Sequence, residues 1–104
     1  MTMQNINLET GKVRYSSYNF IGIRYIFKCN NLIDLKARLS ASGITPYVFK
    51  YRFLSMGEFL VEMVYEEEVY WNKFEEIEKF LDTHISRDMT EMEESLECPT
   101  MSYY

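Results

Sequence analysis

Residues 46 to 65 hold two runs of two-residue alternation separated by three residues, a pattern that pairs most simply as a β-hairpin. Tyr47, Phe49, Tyr51 and Phe53 alternate with Val48, Lys50, Arg52 and Leu54. Phe59, Val61, Met63 and Tyr65 alternate with Leu60, Glu62 and Val64. Ser55-Met56-Gly57 lies between them, a three-residue loop whose glycine can take the left-handed conformation. Pairing Leu54 with Glu58 sets Phe53 opposite Phe59, Tyr51 opposite Val61 and Phe49 opposite Met63 on one face. The same pairing sets Lys50 opposite Glu62 on the other face. A slip of one residue would turn every aromatic away from its core, so the pattern predicts the register as well as the element.

The remaining chain supplies partners for this hairpin. Phe20 to Cys29 is rich in β-branched and aromatic residues and reads as a strand, with Ile21, Ile23, Tyr25, Phe27 and Cys29 on its core face. Lys12 to Ser16 alternates weakly, Val13 and Tyr15 against Lys12 and Arg14, and Ser17-Tyr18-Asn19 makes a turn between the two. Leu32, Leu35 and Leu39 recur at helical spacing over 31 to 42, with Asn30 or Asn31 as cap, Asp34 in the first turn and Gly43 beyond the last. A longer helix is expected over 66 to 87. Its apolar stripe is Tyr70, Phe74, Ile77, Leu81 and either His84 or Ile85, widened by Phe80. From Met89 the period is lost.

These elements predict an α+β domain over 1–87, a two-layer sandwich with a four-stranded antiparallel sheet and two helices on one face, followed by a flexible acidic tail over 88–104. The order ββαββα resembles the ferredoxin-like sandwich as a topology, with the N-terminal strand taking the place of the last strand that topology ordinarily has. At 104 residues one core suffices. Cys29 and Cys98 do not make a disulfide framework and read as reduced thiols. No secretory signal and no membrane-length apolar run is visible, which points to a cytoplasmic protein, of a bacterium or of a virus-infected cell.

Charge is divided along the chain. Residues 1–65 carry eight Lys/Arg and four Asp/Glu, a balance of +4, while residues 66–104 carry three and twelve, a balance of −9, summing to −5. Such asymmetry speaks of partners. Glu66, Glu67, Glu68, Glu75, Glu76, Glu78 and Asp82 on the second helix, extended by Asp88, Glu91, Glu93, Glu94 and Glu97 of the tail and with Trp71, Tyr70 and Tyr65 as apolar anchors, form a surface suited to a protein with a basic site, including a nucleic-acid-binding groove, by imitating the spacing of phosphates. Small acidic inhibitors, immunity proteins and phage anti-defence proteins act in this style, with no shared motif to quote. The alternative surface is the outer sheet face, where Arg14, Arg24, Lys28, Lys50 and Arg52 would meet single-stranded nucleic acid, or where a second copy would pack to make a homodimer. A net charge of −5 argues against nucleic acid.

The residues offer little to catalysis. His84 is the only histidine and borders an apolar stripe, and the four glycines are isolated. Cys29, His84 and Cys98 are too scattered for a metal site. The expectation is a binding protein without catalytic residues, metal or cofactor. Gly22, in mid-strand, marks a bulge or a close neighbour.

Overall fold

A computed structural model describes residues 7–9, 11–29 and 31–102. Its elements are β1 (Asn7–Glu9), β2 (Lys12–Ser17), β3 (Phe20–Lys28), α1 (Leu32–Ala41), β4 (Val48–Ser55), β5 (Glu58–Glu66), α2 (Glu67–Asn72), α3 (Phe74–His84), α4 (Glu91–Ser95) and β6 (Thr100–Ser102). They make one antiparallel sheet in the order β1-β2-β3-β5-β4-β6, in which the four long strands are central and the two three-residue strands lie at the edges. Short edge strands leave little unpaired backbone for another chain to extend.

The hairpin pairs as its alternation predicts over Phe49↔Met63, Lys50↔Glu62, Tyr51↔Val61 and Phe53↔Phe59. At the tip the prediction fails by one residue. Ser55, not Leu54, lies opposite Glu58, so Leu54 is bulged and the turn shortens to Met56-Gly57, with Gly57 at φ +85°. A two-residue turn matches the twist of the flanking strands, and a bulge absorbs the extra residue.

The core fills the space between one sheet face and the helices. Ile21, Ile23, Tyr25, Phe27, Phe49, Val61, Met63 and Tyr65 meet Leu35 and Leu39 of α1, Tyr70 of α2, and Ile77, Phe80 and Leu81 of α3. Asn31 caps α1 by accepting from the Ile33 N–H, and Gly43 follows that helix at φ +72°. Asn30, the other expected cap, and the terminal Tyr103 and Tyr104 lie outside the described residues. Tyr65 donates its hydroxyl to the Ile44 carbonyl at 2.6 Å, satisfying a buried phenol.

The expected long helix is two helices. Strand β5 runs through Glu66, and Lys73, at φ −112° and ψ 20°, separates α2 from α3. Val69-Tyr70-Trp71-Asn72 is a run of poor helix formers, and Tyr70 before the break and Ile77 after it are both fully buried. His84 is half-buried, its ring 3.9 Å from that of Phe80 and 5.8 Å from that of Phe27. The stripe continues instead through Ile85, which bridges to Phe27.

The largest departure from expectation is the C-terminal segment. In place of a tail hanging free after residue 87, residues 88–102 cross the sheet face opposite the helices, form α4, and end as β6 against β4. Thr90 and Glu93 close a capping box at the start of α4. The outer sheet face is consequently an interior: Val13 is 5% exposed, and Ile26 and Leu60 are fully buried. Composition gave no hint of this, because many of the segment's contacts are made by its backbone.

Tyr18, in the turn between β2 and β3, has φ +54° and is 97% exposed. The left-handed region costs a residue with a Cβ about 1–2 kcal/mol. Tyr18→Gly is therefore expected to stabilise the fold by about 1 kcal/mol, after the added entropy of the unfolded glycine, and to raise Tm by about 4–8 °C in a thermal melt. An unchanged or lower Tm would mean that the tyrosine ring makes compensating contacts.

Candidate functional site

The predicted acidic face is partly present. Glu66, at the end of β5, Glu67 and Glu68 in the first turn of α2, and Glu75 and Glu76 in the first turn of α3 are all exposed. None of the five pairs with a cation among the described residues. Their positions at helix N-termini are favourable, since the positive end of each helix dipole meets them there. Trp71 is 55% exposed and packed between two rings. Its ring stacks on Phe74 at 5.4 Å and meets Tyr70 edge-on at 5.0 Å. Asp82 is exposed one to two turns further on, 4.0 Å from the Lys12 ammonium.

Glu78 does not belong to that surface. It points at the sheet, where Lys12 Nζ donates to its Oε1 at 2.6 Å, Arg14 to its Oε2 at 3.1 Å, and Tyr70 to its Oε2 at 3.0 Å. Arg14 also donates to the Tyr70 hydroxyl at 2.6 Å and lies 6.0 Å from the centre of the Phe74 ring. Burial, together with the nearby Glu78 charge, pushes the Tyr70 phenol up to about 12 despite the opposing pull of Arg14. A residue expected to greet a partner is thus spent on holding α3 to β2.

The same contacts correct the predicted basic face. Lys12 lies opposite Tyr25 and Arg14 opposite Ile23, so both cations share the helix-covered side, and Val13 and Tyr15 take the outer side. Arg24 is on the outer face as expected but is covered: it donates to the Leu96 carbonyl, to the Glu93 carbonyl at 3.4 Å, and lies 3.7 Å from Glu62. Arg52 donates to the Glu97 carbonyl at 3.1 Å, and Lys50 lies 3.9 Å from Glu62. Only Lys28 of the five is exposed, the other four being half-buried. No open basic sheet surface exists among the described residues.

Beneath the crossing segment lies a polar cluster. The Tyr15 hydroxyl donates to Glu62, itself 7% exposed, and burial first, then that carboxylate, raises the phenol well above its ordinary value. Cys98 lies beside this cluster with its thiol 3.8 Å from the Leu60 carbonyl, and burial pushes it up to about 11. Cys29 is also a free thiol raised by burial. The segment is clamped by Arg87, which donates to Glu58 at 3.0 and 3.1 Å and to Glu93 at 2.8 Å with each terminal nitrogen. Hydrogen bonds from Arg87 hold the Glu93 carboxyl down at about 2, against an ordinary 4.5. The clamp's full strength is therefore present above about pH 4.5 and declines as pH falls from there towards 2.

Of the aromatic anchors expected beside the acidic face, Trp71 is exposed but Tyr65 and Tyr70 are buried in the core, and the exposed aromatics that do adjoin it, Tyr18 and Tyr47, were not foreseen. Asn19 accepts the Glu67 N–H at 2.7 Å, which seats the Tyr18 turn against the start of α2. Phe20, next in the chain, holds the 55% exposed Tyr47 at a ring distance of 5.4 Å. Tyr18, Tyr47, Val69 and Trp71 are four of the chain's exposed large apolar residues. The hairpin pattern placed Tyr47 on the core face. Its position before the first residue of β4 takes it beyond the helices that cover that face. No group of residues able to hold a metal is found among the described residues, and no described helix is long and apolar enough to cross a membrane. No family model matches the chain, and no curated protein or solved structure matches it either, so the reading of this surface rests on its own residues.

Proposed function

We propose that this is a small acidic protein-binding module whose Glu66, Glu67, Glu68, Glu75 and Glu76, with Trp71 as anchor, dock on a basic site of a target protein. The observation that carries the reading is the contrast between carboxylates. Glu58, Glu62, Glu78 and Glu93 sit within 4.0 Å of a cation, whereas these five are exposed and pair with none among the described residues. Unneutralised charge of one sign beside a packed aromatic favours rapid association with a surface of the opposite sign and gives the complex an apolar centre. An inhibitor, immunity or phage anti-defence role, and a cytoplasmic site of action, are the settings in which such a module would serve. We also read β2-β3-β5-β4 as a ferredoxin-like variant in which β2 replaces a C-terminal strand.

The test is capture of partners from native host lysate on immobilised protein, eluted with a salt gradient, against the same experiment with Glu68, Glu75 and Glu76 changed to Lys. Glu78 is left intact because it holds the fold. Loss of about 100-fold in affinity at low salt, with an unchanged melt, is the expected result. Equal capture by both chains overturns the proposal. The nucleic-acid alternative has less support, since the chain's own acidic segment lies over Arg24 and Arg52.

A further inference from the structure

Apart from the Arg87 clamp, the segment over the outer sheet face is held through its main chain. Arg24 takes the carbonyls of Glu93 and Leu96, and Arg52 takes that of Glu97. Residues Thr100–Ser102 pair by backbone with Phe49, Lys50 and Tyr51. The side chains of α4 contribute no buried residue. A surface that grips backbone is indifferent to much of the sequence laid on it, which is how sheet edges accept peptides from other proteins.

Charge and an unmet hydrogen bond add to this. Residues 88–98 contain Asp88, Glu91, Glu93, Glu94 and Glu97 and no Lys or Arg, and they lie on a face carrying Arg24, Lys50 and Arg52 beside Glu62, while Glu58 of the same face is paired with Arg87. Yet Arg24 Nε is buried without an acceptor, although the Glu93 and Leu96 carbonyls both engage the neighbouring Nη2 on the same edge of the guanidinium. A carboxylate binding through two oxygens would satisfy that edge and form the stronger charge-assisted pair.

We propose that this face is a binding site for an extended acidic segment of a partner protein, and that residues 88–102 are its resident competitor. The closing contacts are of the kind that open locally. β6 has three paired residues against the nine of β3 and β5, α4 is five residues long, and the Arg87–Glu93 pair is the principal side-chain clamp. An incoming segment meets a site vacant only in the open fraction, so its apparent affinity scales with that fraction. The need for backbone pairing with β4 selects a peptide over nucleic acid. This site is separate from the α2–α3 surface, and neither proposal depends on the other.

The experiment uses the full chain and a fluorescein-labelled peptide with the sequence of residues 88–102, followed by anisotropy. Glu93→Gln in the chain weakens the resident clamp while the peptide keeps its own glutamate, so the peptide is expected to bind the variant about tenfold more tightly than the parent. Equal affinity for the two chains, or no binding to either, overturns the proposal. A peptide with its glutamates changed to lysine is expected not to bind, and equal binding would refute the acidic class. Oligothymidylate of matching length binding more tightly than the peptide would move the assignment to nucleic acid. Native-state hydrogen exchange gives an independent reading. Amides of 100–102 should exchange ahead of those in β3 and β5, and about tenfold faster again in the variant. Exchange in step with β3 and β5 in both chains would show that the segment never opens alone.

Discussion

Glu78→Ala is expected to cost about 3 kcal/mol of unfolding free energy, read from the midpoint of a urea titration. Removing one member of a buried ion pair costs about 3–5 kcal/mol, because the remaining charge stays where water cannot reach it. Here Lys12 is 5% exposed and loses the oxygen 2.6 Å from its ammonium, while Arg14 and Tyr70 lose the shared acceptor between them. The low end of the range applies because Asp82, 4.0 Å from Lys12 but 76% exposed, recovers a little of the charge balance. Glu78→Gln should fall between the two, since the amide oxygen still accepts from Tyr70 but carries no charge. The raised Tyr70 phenol adds a pH signature. The unfolded tyrosine ionises near 10 and the folded one near 12, so stability should decline as pH rises through that interval. A Glu78→Ala chain within about 1 kcal/mol of the parent would show that the cluster behaves as a surface pair.

Gly22→Ala is the second large effect, also expected near 3 kcal/mol. Gly22 faces Tyr15 across β2 and β3, and a methyl group on it would occupy the space of the Tyr15 ring itself. Overpacking of this kind costs about 1–3 kcal/mol. The displaced ring would also withdraw its hydroxyl from Glu62, whose burial makes a lost hydrogen bond cost about 1–3 kcal/mol more. The two substitutions Gly22→Ala and Tyr15→Ala share one cause, so the double variant should be less destabilised than the sum of the singles. Additive losses would mean that the glycine serves some other purpose. Of the two sequence readings of Gly22, a bulge or a close neighbour, the structure selects the neighbour.

What could be read without coordinates follows from periodicity. The β4–β5 register and the core row of β3 were legible because one face of each strand is strongly apolar, and a one-residue slip would expose it. The cap and glycine of α1 were legible because they are local. The faces of β2 were not. Val13 and Tyr15 pack under the crossing segment and Lys12 and Arg14 under α3, so both faces are covered and alternation loses its meaning as an inside–outside code. The candidate site divides in the same way. Glu66, Glu67 and Glu68 could be foreseen at a helix start, whereas the second start that carries Glu75 and Glu76, and the separation of Glu78 from them, needed the break at Lys73 and the position of β2.

The amino-acid order by itself determined the hairpin, the helix-facing core and the division of charge, since each depends on residue type at short spacing. Tertiary structure alone decided which charges remain available. Arg24, Arg52 and Glu93 are engaged through contacts between residues 45 to 72 positions apart, or through a clamp that closes only once 86–102 lies on the sheet. Main-chain hydrogen bonds hold that segment in place, and because every residue type offers a carbonyl, no pattern of side chains could announce it.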